Sequence, residues 1–360
     1  MHIKTKYYIV IIGVLGVFLA GCQKDPQYSI PVASVTNADS SYNPTPYTVD
    51  IPEGFPDMQI PEDNPMTVEG IRLGKKLFYD PILSGDSTQS CASCHQPSFA
   101  FSDPKQFSVG ITGAQGTRNA PAIINQGWNF EFFWDGRAQS LEEQALAPVP
   151  NPIEMHLQWK DAIVRLKNHP EYPELFYQAF GTKEIDSMHV VKAIAQFERT
   201  LISSNSKYHK FLRDEVALTP QELNGMTIYF TEKGDCFHCH GTVLLTDNLY
   251  HNNGLDSVFT DLGRYNVTQD PNDKGKFKTP TLINIELTAP YMHDGRFATL
   301  EEVIDHYSEG VKVSATIDPL MKKAHQGGLH LTAQEKADLI AFLKTFTDES
   351  FINNPDYLAP

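Results

Sequence analysis

The sequence contains Cys91-Ala92-Ser93-Cys94-His95 and, further along, Cys236-Phe237-His238-Cys239-His240. Both stretches fit the pattern C-x-x-C-H, in which two thiols form thioethers to a porphyrin and the histidine supplies an iron ligand. Two disulfides, or one zinc site built from the two C-x-x-C pairs, are the alternative interpretations. Two complete pentads, with Cys22 as the only other cysteine, favour two covalently bound c-type haems. His95 and His240 are then the proximal iron ligands.

A second repeat surrounds the two motifs. Pro121 precedes Asp135 by the same interval as Pro280 precedes Asp294, so these two segments are copies related by a constant offset. The offset between the two cysteine motifs is shorter, so a loop of the second copy has about 14 extra residues. A haem-binding unit has therefore been duplicated. The predicted organisation is an N-terminal domain at 66–215, a C-terminal domain at 216–350 and a C-terminal tail at 351–360.

The N-terminus has the composition of an export signal. Lys4 and Lys6 precede an apolar run at 8–20, which ends in Leu19-Ala20-Gly21-Cys22. This pattern predicts a lipoprotein signal peptide at 1–21, after which Cys22 is lipidated. A membrane anchor helix is the alternative, but ~13 apolar residues are fewer than the ~20 that span a bilayer. We expect an exported protein, lipid-anchored at Cys22 on the periplasmic face of the cell envelope.

Most of the remaining chain predicts helices and loops. The segment 22–65 is rich in proline, serine and asparagine without apolar periodicity, which predicts a flexible tether. Helical patterns begin near Thr67, and apolar spacing predicts a further helix over 187–201. No alternating strand pattern is present, so the predicted fold class is mostly α. Three more helix starts are indicated by capping boxes, at Thr219 with Glu222, Thr299 with Glu302 and Thr332 with Glu335.

Composition limits the partners. The 360 residues include 44 acidic and 29 basic side chains, a formal net charge of −15, and 41% are hydrophobic. This balance is typical of a soluble globular protein and argues against a nucleic-acid partner, whose phosphates would repel the surface. A basic protein partner remains compatible with it.

The two copies differ at one position that bears on iron ligation. The helix after Thr299 carries an apolar face that includes Tyr307. Tyr307 follows Asp294 at the same interval at which Pro148 follows Asp135, and proline has no atom able to bind iron. We call the haem of the first motif haem 1 and that of the second motif haem 2. If this helix face lies against the haem in both copies, Tyr307 can bind the iron of haem 2, whereas the corresponding position on haem 1 is open. A buried core tyrosine is the alternative for Tyr307.

Together, the C-x-x-C-H motifs, the segment 118–137 (RNAP…FWDGR) and the segment 279–296 (TPTLIN…LTAPYMHDGR) resemble the bacterial di-haem cytochrome c peroxidase family. That family includes the methylamine-utilisation di-haem oxidases. The resemblance extends over 67–347. It implies two tandem cytochrome c-like domains with long loops, a peroxidatic haem in the N-terminal one, an electron-transfer haem in the C-terminal one, and a calcium ion between them.

The resemblance also implies roles for single residues. Trp134 matches a tryptophan between the two haems, although it could also be a core aromatic residue. Glu154 matches a distal glutamate that moves protons during peroxide cleavage, although the sequence alone shows only a loop carboxylate. The positions that match the calcium ligands are Asn119, Thr288 and Pro290.

Two positions depart from the classical peroxidases. Ile111 stands where those enzymes have a histidine that caps haem 1 until haem 2 is reduced, so we expect an open haem 1. Tyr307 stands where they have a methionine ligand of haem 2, and tyrosine is the pattern of the methylamine-utilisation oxidases. The competing ligands are Met321 and Met292, while His306 and His325 are expected to be surface or loop residues.

The leading hypothesis is a peroxidase that reduces hydrogen peroxide with electrons from a small donor such as a cytochrome c. The alternative is a methylamine-utilisation-type oxidase that extracts electrons from residues of a partner protein. An electron carrier without catalysis is the third hypothesis, which Glu154 and an open haem 1 argue against. Membrane contact is expected only through the lipid. Relatives are often homodimers, but nothing in the sequence identifies a dimer interface.

Overall fold

The computed structural model describes residues 42–360. The signal at 1–21, the lipidation site Cys22 and the first part of the tether lie outside the described residues. The predicted mostly α fold is confirmed, with one small antiparallel sheet. Its strands are β1 (Tyr250–His251) and β2 (Phe277–Lys278). The α-helices of the described range are α1 (Val68–Tyr79), α2 (Leu141–Leu146), α3 (Trp159–Asn168), α4 (Tyr172–Phe180), α5 (Ser187–Arg199), α6 (Lys207–Leu212), α7 (Pro220–Tyr229), α8 (Phe237–His240), α9 (Tyr265–Thr268), α10 (Leu300–Asp305), α11 (Ala333–Lys344) and α12 (Glu349–Ile352).

The predicted helix starts are confirmed. The Thr67 side chain accepts a hydrogen bond from the N–H of Gly70 and so caps α1. All three predicted capping boxes are formed, at the starts of α7, α10 and α11. None of the helices within 42–360 is long and apolar enough to cross a membrane.

Each half of the chain is built on one close helix pair. In the first half α1 packs against α5, and in the second half α7 packs against α11. Glycine permits both crossings, because a side chain at Gly74 would collide with the carbonyl oxygen of Ala193, and one at Gly225 would collide with that of Asp338. The main hydrophobic core contains residues of both halves, including Phe78, Phe101, Phe197, Tyr229, Phe342 and Phe346. The boundary at 215/216 stays a prediction, since this core continues across it.

The sequence repeat is also a structural repeat. The 3₁₀ turns Gln126–Trp128 and Ile285–Leu287 are separated by the same offset as the sequence repeat, and so are the starts of α2 and α10. Asn125 and Asn284 precede these turns, and both have a left-handed backbone, with φ of 54° and 61°. The loop after each turn therefore begins with the same backbone geometry in both halves.

The two repeats contact each other through reciprocal backbone hydrogen bonds. The N–H of Asn119 donates to the carbonyl oxygen of His293 at 2.8 Å, and the N–H of Lys278 donates to that of Trp134 at 2.8 Å. Asn119 and Lys278 are equivalent under the repeat offset, and so are Trp134 and His293. The repeats thus meet through the segments that carry the predicted calcium and inter-haem residues.

The prediction of a flexible tether is wrong for 42–65. The Tyr42 hydroxyl donates to the carbonyl oxygen of Ala179 at 2.9 Å, and Asn64 is buried and donates to Glu142 at 2.6 Å. Phe55 packs edge-on against Trp128. The prolines hold this segment extended, and its scattered apolar side chains cover the helical body instead of following a helical or strand period.

The C-terminal tail packs on the first half of the chain. Phe351 is buried, and its ring centroid lies 5.6 Å from that of Phe101. The Tyr79 hydroxyl of α1 donates to the carbonyl oxygen of Tyr357 at 2.6 Å. The tail therefore ties the end of the chain to the first repeat.

Candidate haem and peroxide site

The first C-x-x-C-H motif forms a tight turn that presents His95. Residues Cys91–Ser93 form a 3₁₀ turn, and the Nδ1–H of His95 donates to the carbonyl oxygen of Phe101 at 3.0 Å. Burial lowers the pKa of His95, so the imidazole is neutral. With Nδ1 occupied as a donor, Nε2 has the free lone pair that binds iron.

The second motif repeats this arrangement. The Nδ1–H of His240 donates to the carbonyl oxygen of Leu245 at 2.8 Å, and burial lowers the pKa of His240. The buried Tyr229 hydroxyl donates to the His240 carbonyl oxygen at 2.9 Å and fixes the end of α8. Both imidazoles are thus held neutral, with the same nitrogen, Nε2, available to bind a metal.

The alternatives to haem attachment do not fit the described residues. None of the four cysteines of the two motifs forms a disulfide in the chain between 42 and 360. Where metal-binding side chains cluster in that range, no cluster contains two cysteines, which excludes a zinc site shared by the two pairs. Free thiols beside a neutral histidine are what thioether attachment requires.

The cavity beside the second motif has a lining suited to an apolar cofactor. It is lined by Cys236, Cys239 and His240 together with apolar side chains from several elements. Those apolar side chains include Leu282, Val303, Ile304, Leu339 and Leu343. Two thiols, an imidazole suited to binding iron and an apolar wall are therefore brought together in one cavity.

All three candidate distal ligands of haem 2 line this cavity, namely Tyr307, Met292 and Met321. Tyr307 lies in the π-helical turn His306–Gly310, and its hydroxyl oxygen accepts a hydrogen bond from Nδ2 of Asn253 at 3.0 Å. Burial raises the pKa of Tyr307 to about 12, so the phenol is protonated unless a positive charge lies beside it.

His306 and His325, which are not expected to be iron ligands, differ in environment. His306 is buried, in contrast to the expected surface position, and its Nε2–H donates to the carbonyl oxygen of Asn253 at 3.2 Å. It is buried because the π-helical turn directs its ring inward against Phe297. His325 is exposed, as expected.

Glu154 and Ile111 are brought together beside the first motif. The N–H of Ile111 donates to the carbonyl oxygen of Glu154 at 3.0 Å, and Nδ2 of Asn151 donates to Oε1 of Glu154 at 2.6 Å. Burial raises the pKa of Glu154, although the Asn151 bond and the charge of Arg137 oppose the shift. The mostly buried carboxyl of Glu154 is thus held close to Ile111, the position at which the classical peroxidases have a histidine.

The first thiol of the N-terminal motif lies near two glutamates, Glu198 and Glu154. Burial raises the pKa of Cys91 to about 12, and the charges of Glu198 and Glu154 add to this shift. Glu198 is itself buried on α5, and burial raises its pKa to about 8. Glu198 could not be predicted as part of this site, because nothing in the sequence distinguishes one glutamate of an amphipathic helix from another.

Trp134 lies between the two repeats. Its indole Nε1–H donates to the carbonyl oxygen of Asn119 at 2.8 Å, and the residue lines both the cleft between the repeats and the cavity beside the second motif. The three predicted calcium-binding residues Asn119, Thr288 and Pro290 line the same cleft. Nδ2 of Asn119 donates to the carbonyl oxygen of Lys105 at 3.0 Å, so its Oδ1 is the atom suited to a cation.

Comparisons with known proteins agree with this geometry. A sequence model of the family described as di-haem cytochrome c peroxidase matches residues 68–217. The methylamine utilization protein MauG of Methylorubrum extorquens is 39% identical over 302 residues, which cover 83% of this chain and 83% of that protein. The chain belongs to the di-haem cytochrome c peroxidase family.

Other family members are similarly close to this chain. The cytochrome c551 peroxidase of Nitrosomonas europaea is 36% identical over 82% of this chain and 84% of that protein. A solved structure of a MauG-like protein associated with microbial copper homeostasis is 40% identical, with a TM-score of 0.82, over 87% of this chain and 99% of that one. This di-haem family member is therefore an oxidoreductase with two c-type haems.

Proposed function

We propose that the protein is a peroxidase that reduces hydrogen peroxide to two waters, using two protons and two electrons from a small donor such as a cytochrome c. Relatives named as cytochrome c peroxidases support this proposal. The observation that carries it is the mostly buried Glu154 carboxyl, held by Asn151, in a residue whose main-chain carbonyl oxygen accepts a hydrogen bond from Ile111.

Four residues of the chain have separate roles in the proposed reaction. His95 and His240 would hold the two haem irons, which when bound supply a peroxide-binding site and the storage of electrons. Glu154 takes a proton from one peroxide oxygen and returns it to the other, so that the departing oxygen leaves as water. Trp134 forms the bridge between the two repeats along which electrons pass.

The first test mixes the fully oxidised, never-reduced protein with hydrogen peroxide and reduced cytochrome c in a stopped-flow spectrometer. We expect catalytic oxidation of the donor without an activation step, because the hydrocarbon side chain of Ile111 has no atom that could bind iron in place of peroxide. A protein that reacts only after one haem is reduced would contradict this expectation.

Introducing the classical ligand should restore the need for activation. We expect Ile111→His to slow the reaction of the oxidised protein with peroxide by at least about tenfold, with recovery after one-electron reduction. Ile111→Leu is the matched control and should behave like the parent protein. Equal rates in the histidine variant, before and after reduction, would show that residue 111 does not face the peroxide site.

The second candidate function is the oxidation of residues in a partner protein. The 39% identity to a methylamine utilization protein and the tyrosine at position 307 favour it. If the oxidised protein reacts rapidly with peroxide but hardly oxidises cytochrome c, this function becomes the better interpretation.

We also propose Tyr307 as the distal ligand of haem 2, with Met321 and Met292 as the alternatives. A thioether raises the reduction potential of a haem relative to an anionic oxygen ligand. Tyr307→Met should therefore raise the potential of one haem only, as measured by potentiometric titration of the absorption spectrum. An unchanged potential would assign the ligand to one of the methionines.

The remaining parts of the proposal concern calcium and location. A calcium ion bound by Asn119, Thr288 and Pro290 would hold the two repeats together at the cleft that they share. Lipid attachment at Cys22 would keep the enzyme at the periplasmic face of the envelope. A homodimer stays a prediction.

A further inference from the structure

Lys278 is a buried lysine at the contact between the two repeats. Only 9% of its surface is exposed. Its main-chain N–H donates to the carbonyl oxygen of Trp134 at 2.8 Å, and its ammonium donates to the carbonyl oxygen of Glu131 at 2.7 Å. One residue of the second repeat therefore bonds both ends of the turn 131–134 of the first repeat.

The charge of Lys278 has no direct partner. Within residues 42–360 no carboxylate lies within 4.0 Å of its ammonium. The Glu131 carboxylate instead accepts from Arg264 at 2.9 Å and from the Tyr250 hydroxyl at 2.7 Å. The ammonium lies 5.7 Å from the ring centroid of Phe132. Such an unpaired buried cation destabilises the folded state, so packing alone does not explain a lysine here.

The position of Lys278 relates this charge to the cofactor sites. Like Trp134, Lys278 lines both the cleft between the repeats and the cavity beside the second C-x-x-C-H motif. Its equivalent in the first repeat is Asn119, which has no charge. The second repeat thus carries a cation of its own on the wall of the haem 2 cavity.

We propose that Lys278 is a positioning residue of the bridge between the haems, which fixes the turn that ends in Trp134 and supplies a buried positive charge that favours the reduced form of haem 2. A cation near a redox centre stabilises the state with one more electron, and a low local dielectric strengthens the effect. The inference rests on the proposed function only in taking Trp134 as the bridge between the two haems.

The test is a potentiometric titration of the holoprotein, followed through its absorption spectrum. Lys278→Met should lower the potential of haem 2 by at least ~59 mV, a tenfold change in the one-electron reduction equilibrium. Lys278→Arg keeps the charge, so it should lower the potential of haem 2 by at most half as much as Lys278→Met does. Lys160→Met removes an exposed lysine on α3 and should leave the potential unchanged.

Unchanged potentials in a fully haem-loaded Lys278→Met protein would overturn the proposal, and so would an equal shift in the Lys160→Met control. If the methionine variant does not fold, Lys278→Gln removes the charge while keeping a hydrogen-bond donor, and it should show the same shift. A potential shift in a protein that never turns over peroxide would refute the peroxidase proposal and leave the role of Lys278 standing.

Discussion

Glu154→Gln is expected to lower kcat for peroxide reduction by about 10²–10⁴-fold, the usual contribution of a positioned general acid–base group. The glutamine keeps the size of the side chain and can still bond to Asn151, but it can neither accept nor return a proton. Steady-state oxidation of reduced cytochrome c at saturating peroxide measures the effect. Because the side chain is replaced by one of similar shape, haem content and stability should change little.

The pH dependence gives an independent check on Glu154. Its pKa is raised by burial, so the carboxylate that accepts the peroxide proton is lost as the pH falls through a value above that of an ordinary glutamate. The parent enzyme should lose activity on this acidic limb, and Glu154→Gln should not show it. Glu174→Gln, an exposed change on α4, is the control. Full activity in Glu154→Gln would assign proton transfer to another group.

Arg199→Met is expected to destabilise the protein by about 3–5 kcal/mol, because it leaves a buried carboxylate without its partner. Arg199 on α5 and Glu142 on α2 are buried and joined by two hydrogen bonds, at 2.8 and 3.1 Å. Asn64 donates to the same carboxylate at 2.6 Å. The Arg199 charge also lowers the pKa of the buried Glu198, against the rise caused by burial. Urea unfolding followed by circular dichroism measures the loss.

The matched control for this pair is the double variant Arg199→Met with Glu142→Gln. It removes both charges and should be more stable than Arg199→Met alone. Burial opposes ionisation of Glu142, but the Arg199 bond and charge outweigh it and lower the pKa of Glu142. The pair therefore stabilises the fold fully at pH values above the pKa that a glutamate has in the unfolded chain. This contribution is lost as the pH falls through the lowered pKa of Glu142 in the folded protein. Equal stability of the single and double variants would contradict this coupling.

The C-x-x-C-H motifs and the repeat could be recognised from the sequence because each depends on residues at short, fixed spacing. Thioether attachment needs two cysteines and a histidine at fixed spacing, so Cys91 to His95 identifies a site without any tertiary information. The capping boxes are similarly local, since Thr219 and Glu222 satisfy each other within one helical turn. The repeat offset then indicated which other residues are equivalent.

What the sequence could not predict depends on contacts between distant segments. The segment 42–65 has the composition of a free tether, and contacts with distant segments, among them α2, α4 and Trp128, hold it on the body. Asn253, which donates to Tyr307, has no distinguishing neighbours in the sequence. Lys278 could have been found as the equivalent of Asn119 by the repeat offset, but its burial follows from how the repeats meet.

The reciprocal hydrogen bonds between the repeats bear on the origin of the chain. Asn119 bonds to His293 as Lys278 bonds to Trp134, so one contact is made twice with the partners exchanged. A two-fold axis produces this pairing, and it is typical of homodimers whose subunits use the same surface. Fusion of two copies of an ancestral single-haem subunit accounts for it. Once both copies lay in one gene, a substitution could alter one half without altering the other, so the halves could diverge at equivalent positions such as Pro148 and Tyr307.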